Sequence, residues 1–376
     1  MPLPMKEMPM AMLMVHGNGF GVYASEQGPR GRDAVYSTSM FMTDVGKSIG
    51  DTHYLNLDFM GTFEKWTVPG NGYPELLQIG EDQANGRPFL DAQHPHSSPV
   101  MGLTLSDTIR IRTNEKDYLK LFFAPRGETT DGPVAFMHRP TGLVNPDAPL
   151  GHHIGQDVGH VTSTVIGGSL KLGATRFEAS GFHGAEPEPT RVDLPLGAPD
   201  SFGVRLIEEI TSAFTVMASF AYVNAPEPDD PDISYEFRYS ASAYGQFPIF
   251  RDWMFYDALI YGSVTRYDHA SLLNSFAEEF LFEGDRPRIW GRVEVLQRTP
   301  SELQVASVAN PNTGRWVAAL TLGYTHRLTD FSGVELGLGG SVTKDLLPSA
   351  FTGTYGGDPW SGKVFLQLGG MGMWDL

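Results

Sequence analysis

The feature that most constrains this chain is a two-residue alternation of apolar and polar side chains. It is sustained over stretches of about 10 to 15 residues from one end to the other. Tyr235, Phe237, Tyr239, Ala241 and Ala243 share one face of such a stretch, with Glu236, Arg238, Ser240 and Ser242 on the other. Leu55, Leu57 and Phe59 alternate with Asn56 and Asp58, and Ile289, Gly291, Val293 and Val295 with Trp290, Arg292 and Glu294. Helical periodicity is scarce, and no apolar run approaches the roughly 18 residues of a membrane-spanning helix. Strands of soluble sandwiches usually run about five or six residues. Longer alternating strands are what a tilted crossing of a bilayer requires.

The connections sharpen this. The alternation marks about sixteen strands, near 10–24, 34–45, 51–66, 98–110, 115–124, 159–171, 173–184, 200–210, 213–224, 233–246, 253–266, 270–283, 287–299, 313–328, 332–345 and 361–374. Even-numbered strands mostly end in tight polar turns, such as 46–50, 283–285 and 329–333. Odd-numbered strands often run into long Pro/Gly-rich loops at 67–97, 125–158, 185–199, 300–312 and 346–360. Short turns on one side and long loops on the other predict an all-β fold: a closed antiparallel transmembrane β-barrel with short periplasmic turns and long extracellular loops. It would form a single domain over 10–376, preceded by a Met-rich segment at 1–9. No blade repeat of about 40–50 residues argues for a propeller instead.

The opening residues lack the apolar core of a signal peptide, so the chain is expected to begin at or after a processing site. Localisation then follows from the barrel pattern: the bacterial outer membrane, with its lipid as surroundings. Further copies of the chain and other envelope proteins are candidate partners.

Composition narrows the chemistry. The chain holds no cysteine among its 376 residues, which excludes disulfides, thiolate metal sites and cysteine nucleophiles. Its 27 basic against 44 acidic side chains, a net charge of -17, exclude nucleic acid as a partner and favour cations in any lumen.

The 15 methionines are unevenly placed. Met8, Met10, Met12, Met14 and His16 share one face of the first strand, Met40 and Met42 one face of the second, and Met371 and Met373 one face of the last. Barrel closure pairs the last strand with the first and predicts that these groups converge at the periplasmic mouth. A thioether is a soft neutral ligand that selects Cu(I), so the row is a candidate copper site. Methionine is also adaptable packing material, and the pattern leaves both readings open.

Of 11 histidines, seven fall between 94 and 183. His94, His96, His138, His152, His153 and His160 form a candidate loop site for Cu(II), zinc or nickel. A hydrogen-bonded histidine network in a loop that plugs the lumen is the alternative. Ser163 with His152 or His160 and Asp157 could supply a hydrolytic relay, although no nucleophile elbow accompanies them. Glu186 and Glu188 alternate with prolines and read as solvated.

Several segments carry a resemblance. The block at 67–78, Gln93-His94-Pro95-His96, the block at 133–140, Ala148-Pro149-Leu150-Gly151-His152-His153, Gln156-Asp157 and His160 are its main parts, together with the opening Met14-Val15-His16-Gly17-Asn18. These resemble a poorly characterised family of bacterial outer-membrane β-barrels found in copper- and heavy-metal-resistance settings. The resemblance covers mainly residues 10–190 and implies a barrel and a connection to copper, but no ligand or catalytic assignment. The expectation is an outer-membrane barrel that binds or passes copper, or another soft metal, through a Met/His-lined lumen. A cation-preferring porin or accessory barrel is the alternative, with a hydrolase third.

Overall fold

The computed structural model describes residues 11–111, 116–227, 233–266, 271–306 and 308–376. The segment 1–9, with Met8, and also Met10 lie outside the described residues. Among the described residues, sixteen strands close into one antiparallel barrel and two more form a separate hairpin. The strands are β1 (Ala11–Glu26), β2 (Asp33–Ile49), β3 (His53–Gly61), β4 (Tyr73–Asp82), β5 (Pro88–Gln93), β6 (Val100–Arg110), β7 (Tyr118–Gly127), β8 (Thr162–Leu172) and β9 (Thr175–His183). They continue with β10 (Ser201–Thr211), β11 (Phe214–Asn224), β12 (Tyr235–Phe250), β13 (Trp253–Arg266), β14 (Ser271–Glu283), β15 (Pro287–Arg298), β16 (Arg315–Phe331), β17 (Val334–Leu346) and β18 (Trp360–Asp375). Each wall strand pairs with its sequence neighbour, except that β3 pairs with β6 across the β4–β5 hairpin. Closure joins β1 to β18, with Phe20 opposite Gln367 and Val22 opposite Phe365.

Period two makes the wall inside-out. Val35, Leu57, Leu105, Leu206, Leu322 and Leu366 stand exposed on the outer face. Glu236, Arg238, Glu279 and Arg292 are buried on the inner one. Closure satisfies every strand edge, which lipid demands because it offers no hydrogen bonds to backbone groups. Aromatic side chains ring both rims. Phe247, Phe255 and Phe282 lie near the short-turn rim, and Phe202, Tyr222 and Phe237 near the other. Such girdles mark the two bilayer interfaces.

The structure departs from the expected strands where a loop turns inward. The third wall strand, expected to reach residue 66, stops at Gly61 and gives way to the short helix α1 (Glu64–Thr67). There the Thr62 hydroxyl accepts the Glu64 amide at 3.2 Å. The strand expected from 159 begins at Thr162, after a tight turn over Val158–His160. The β4–β5 hairpin, unexpected from the sequence, lies within the long connection 62–99.

That connection and the one at 128–161 fold into the lumen, where the inner wall's charges hold them. Arg139 of the second loop is 1 % exposed and donates two bonds to Glu279 of β14, at 2.9 and 2.7 Å. Arg292 of β15 reaches the same carboxylate at 3.1 Å and the carbonyls of Asp147 and Ala148. Arg298 donates to the carbonyls of Leu77 and Leu150 and to the Gln78 side chain, tying both loops to one wall position. Lys363 of β18 pairs with Asp147. Tyr73 of the hairpin stacks on Tyr36 of β2 with ring centroids 4.6 Å apart. A charge buried without a partner is very costly, so the wall's arginines and the loops' acceptors fix each other. The loops are thereby held inside the barrel.

Candidate metal centre

The inward loops bring together histidines that lie far apart in sequence. His94-Pro95-His96 follows β5 directly, and Pro95 stiffens the pair. His152 and His153 open a tight turn over His152–Gln156. This turn lies so close to the wall that a side chain at Gly155 (φ 68°) would meet the Ser263 amide nitrogen at 2.7 Å. Glycine is therefore required there, both for its left-handed backbone and for its lack of bulk. The Ser275 hydroxyl of β14 holds the Ile154 carbonyl at 2.7 Å. His160 ends the next turn, just before β8.

Five imidazoles cluster as a result. Ring centroids lie 4.5 Å apart for His152 and His153, 4.9 Å for His152 and His160, 5.1 Å for His96 and His160, and 5.6 Å for His94 and His153. Three overlapping trios hold their ligand atoms within 4.8 Å of one another: His94 with His152 and His153, His152 with Asp157 and His160, and Glu81 with His153 and Glu186. The cluster borders a cavity of about 40 Å³ lined by Glu81, His94, His96, His152 and His160.

Hydrogen bonds fix two of the rings in a ligand-ready form. His160 Nδ1 lies 2.7 Å from the Asp157 carbonyl, which can only accept, so Nδ1 carries the proton and Nε2 a lone pair. His96 Nδ1 faces the Glu64 carboxylate at 3.2 Å, which turns its Nε2 toward His160. The two Nε2 atoms then face each other at 2.9 Å. That is a hydrogen-bond distance, so one proton is shared between the two rings, and a metal ion bound by either would displace it. Nδ1 to a carbonyl or carboxylate is the arrangement that orients metal-binding histidines. His94 Nε2 lies 3.0 Å from Glu81 Oε2 but out of line for a hydrogen bond, and His152 Nδ1 has no hydrogen-bond partner.

Burial pushes His94 below its ordinary value, and burial with the neighbouring imidazoles pushes His152 and His160 well below it. All three are held neutral, which is the state that binds metal. Burial conversely pushes the Asp157 and Glu186 carboxyls well up, with Arg139 and Arg238 respectively opposing the shift. A divalent cation would compensate both carboxylates.

The other expected residues divide. His138 lies apart from the five but interacts electrostatically with both His16 and His160, and so joins the cluster to the wall of β1. In register, His16 faces Met42 and Met371, Met14 faces Met373, and Asn18 faces Met40. These side chains share the inner face, as barrel closure predicts. Met12 pairs instead with Asp375. Met371 and Met373 are 61 % and 49 % exposed, so the row at the mouth is open. Met40 is drawn deeper and packs with Met60, Met101 and Met137.

Sequence reasoning missed Glu64, Glu81 and those last three methionines. Glu186, read as solvated, is instead partly buried against Arg238 at 3.0 Å and reaches within 4.0 Å of His153. Met60 could have been found from its alternation in β3, but no local pattern marks the glutamates. The hydrolytic relay does not assemble, because the buried Ser163 hydroxyl has no hydrogen-bond partner.

A closed sixteen-stranded antiparallel barrel with an apolar belt, aromatic girdles and inward loops defines an outer-membrane β-barrel of porin architecture, which belongs in the bacterial outer membrane. Solved structures agree on the fold. An anion-selective porin from Comamonas acidovorans aligns over 96% of this chain and 98% of its own, with a TM-score of 0.54 at 11% identity. Salmonella typhi OmpF, in complex with daunomycin, aligns over 96% and 97% with a TM-score of 0.54 at 10% identity. The outer-membrane protein OmpT of Vibrio cholerae, in a trimer form, aligns over 95% and 99% with a TM-score of 0.51 at 8% identity. No protein-family model matches the chain, and comparison with curated proteins returns no match.

Proposed function

We propose that this outer-membrane barrel binds copper, or a similar borderline transition metal, at the five-histidine centre and hands it along a Met/His-lined lumen. The observation that carries the reading is the gathering of five imidazoles, in which the Nε2 atoms of His96 and His160 meet at 2.9 Å and each ring is oriented by an oxygen on its Nδ1 side. Imidazole with carboxylate suits Cu(II), zinc and nickel, and Cu(II) binds such sets most tightly of the divalent series. His138, His16, Met42 and Met371 continue the donors toward the short-turn end. The inward loops narrow the path that a general diffusion porin would need, and wall charges such as Glu279, Arg292 and Arg298 hold them there. The excess of carboxylates draws cations to the mouth.

The test is competition titration of the detergent-purified barrel with Cu(II) and Zn(II), beside a His96→Ala/His160→Ala variant. The wild type is expected to bind at least one equivalent that the variant loses. Equal, weak binding by both proteins would overturn the proposal. Planar-bilayer conductance is expected to be low, and a large steady open-channel current would restore the porin reading.

A further inference from the structure

We infer a second metal site, deeper in the lumen and distinct in ligand type: a thioether site for a soft monovalent cation, Cu(I) or Ag(I), formed by Met40, Met60, Met101 and Met137. Its residues are not those of the histidine centre, and only Met40 belongs to the methionine rows evident in the sequence.

The distribution of buried methionines is the first argument. Among the described residues five methionines are buried: Met40, Met60, Met101, Met137 and Met217. Four of them fall in one cluster, with Met42 packed against it. The two largest clusters hold aliphatic and aromatic side chains and no methionine. Methionine used as adaptable filler would be scattered through all of them.

The second argument is convergence. The four side chains come from β2, β3, β6 and the turn Phe136–His138, so no local repeat assembles them. Met60 stands opposite Gly102, where an added Cβ would lie 3.3 Å from the Met60 Cβ and 3.7 Å from its terminal methyl. Glycine at 102 leaves that space to the thioether.

The third is position. Met40, Met101 and Met137 line a cavity of about 60 Å³ together with His94 and His96. Met101 lines the histidine cavity as well. The sulfurs thus border the same space as the histidine centre, on its inner side. Neutral thioethers in an apolar setting suit a singly charged ion, which costs less to desolvate than a divalent one, and their softness selects Cu(I) over zinc.

The experiment uses the full chain in detergent, with Ag(I) as a redox-inert probe of the sulfur site and Zn(II) as a separate probe of the histidines. In a Met60→Leu/Met101→Leu/Met137→Leu variant, which conserves volume, Ag(I) affinity is expected to fall at least about 10-fold while Zn(II) affinity is unchanged. Met371→Leu/Met373→Leu is expected to leave the tight Ag(I) equivalent in place. X-ray absorption of the silver-loaded wild type should show sulfur neighbours. The inference is overturned if the inner triple variant binds Ag(I) as the wild type does, if the mouth variant loses it instead, or if the wild type shows no sulfur around silver. Should the triple variant fail to fold, Met101→Leu and the wild-type absorption spectrum decide the matter. Failure of the wild type to bind Zn(II), with Ag(I) binding intact, would count against the histidine centre and leave the sulfur site standing.

Discussion

The inner wall has two unlike sides. Across β14, β15 and β18 it presents Glu279, Arg292, Glu294, Arg298 and Lys363, and each is bonded to a loop residue. Across β2, β3 and β6 at mid-depth it presents Met40, Met60 and Met101, which make no ion pairs and gather around Met137. The charged side is an anchor, because each of these groups holds a loop residue. The thioether side, with the histidines above it, keeps donors whose partners are missing or misaligned. Fixing the loops against one side holds the metal-binding groups over the other, so stability and binding occupy different halves of one lumen.

Breaking the anchor should have the largest effect. Glu279→Ala leaves Arg139 and Arg292 buried without their shared carboxylate and is expected to cost about 3–5 kcal/mol of loop docking. Limited proteolysis should then cut within 128–161, and bilayer conductance should rise, while the heat-dependent gel shift of the barrel persists. An unchanged cleavage pattern would mean that the charged side does not hold the loop.

Metal should tighten the opposite side. At a free concentration of about 100 times its dissociation constant, a metal bound only by the docked loops stabilises them by about 2.7 kcal/mol. Zn(II) is therefore expected to slow cleavage of both loops in the wild type, and a chelator to reverse the protection. Protection that persists in the His96→Ala/His160→Ala variant would assign it to another site. A subtler separation comes from Glu64→Gln, which removes the charge that orients His96 and touches no anchor. Metal affinity should fall by roughly 10–100-fold, with conductance unchanged.

The smallest effect is that of pH. His152 and His160 lie well below their ordinary 6.5 when docked, so the docked loops bind fewer protons than released ones. This contribution to docking is fully present above about 6.5 and is lost progressively as pH falls below it, toward the lowered docked values. Asp157, pushed upward by burial, works in the opposite direction and offsets part of the loss. Metal-free protein should be cleaved in the 128–161 loop modestly faster at pH 5.5 than at 7.5. Slower cleavage at pH 5.5 would show that the carboxyl dominates.

What the sequence determined by itself was the barrel. Alternation is a local property, because successive side chains of a strand must point to opposite faces. Leu55 to Phe59 and Ile289 to Val295 therefore declare an outer face without reference to any neighbour. Turn length is local too, and it separates the two ends of the barrel. Even the meeting of the methionine rows of the first and last strands follows from closure. The register does not: Met371 and Met373 were expected beside Met8 and Met10, and they stand opposite His16 and Met14. The histidines at 94, 96, 138, 152, 153 and 160 were legible as one candidate loop site, but not which of them meet.

Only the tertiary structure decided that two long loops fold inward, that Glu64 and Glu81 turn toward histidines, and that Met60, Met101 and Met137 join Met40. The contacts responsible link groups such as Arg298 and Leu77, 221 residues apart in sequence. Their energy comes from burying opposite charges and acceptors together, and no periodicity along the chain records which charge will meet which acceptor.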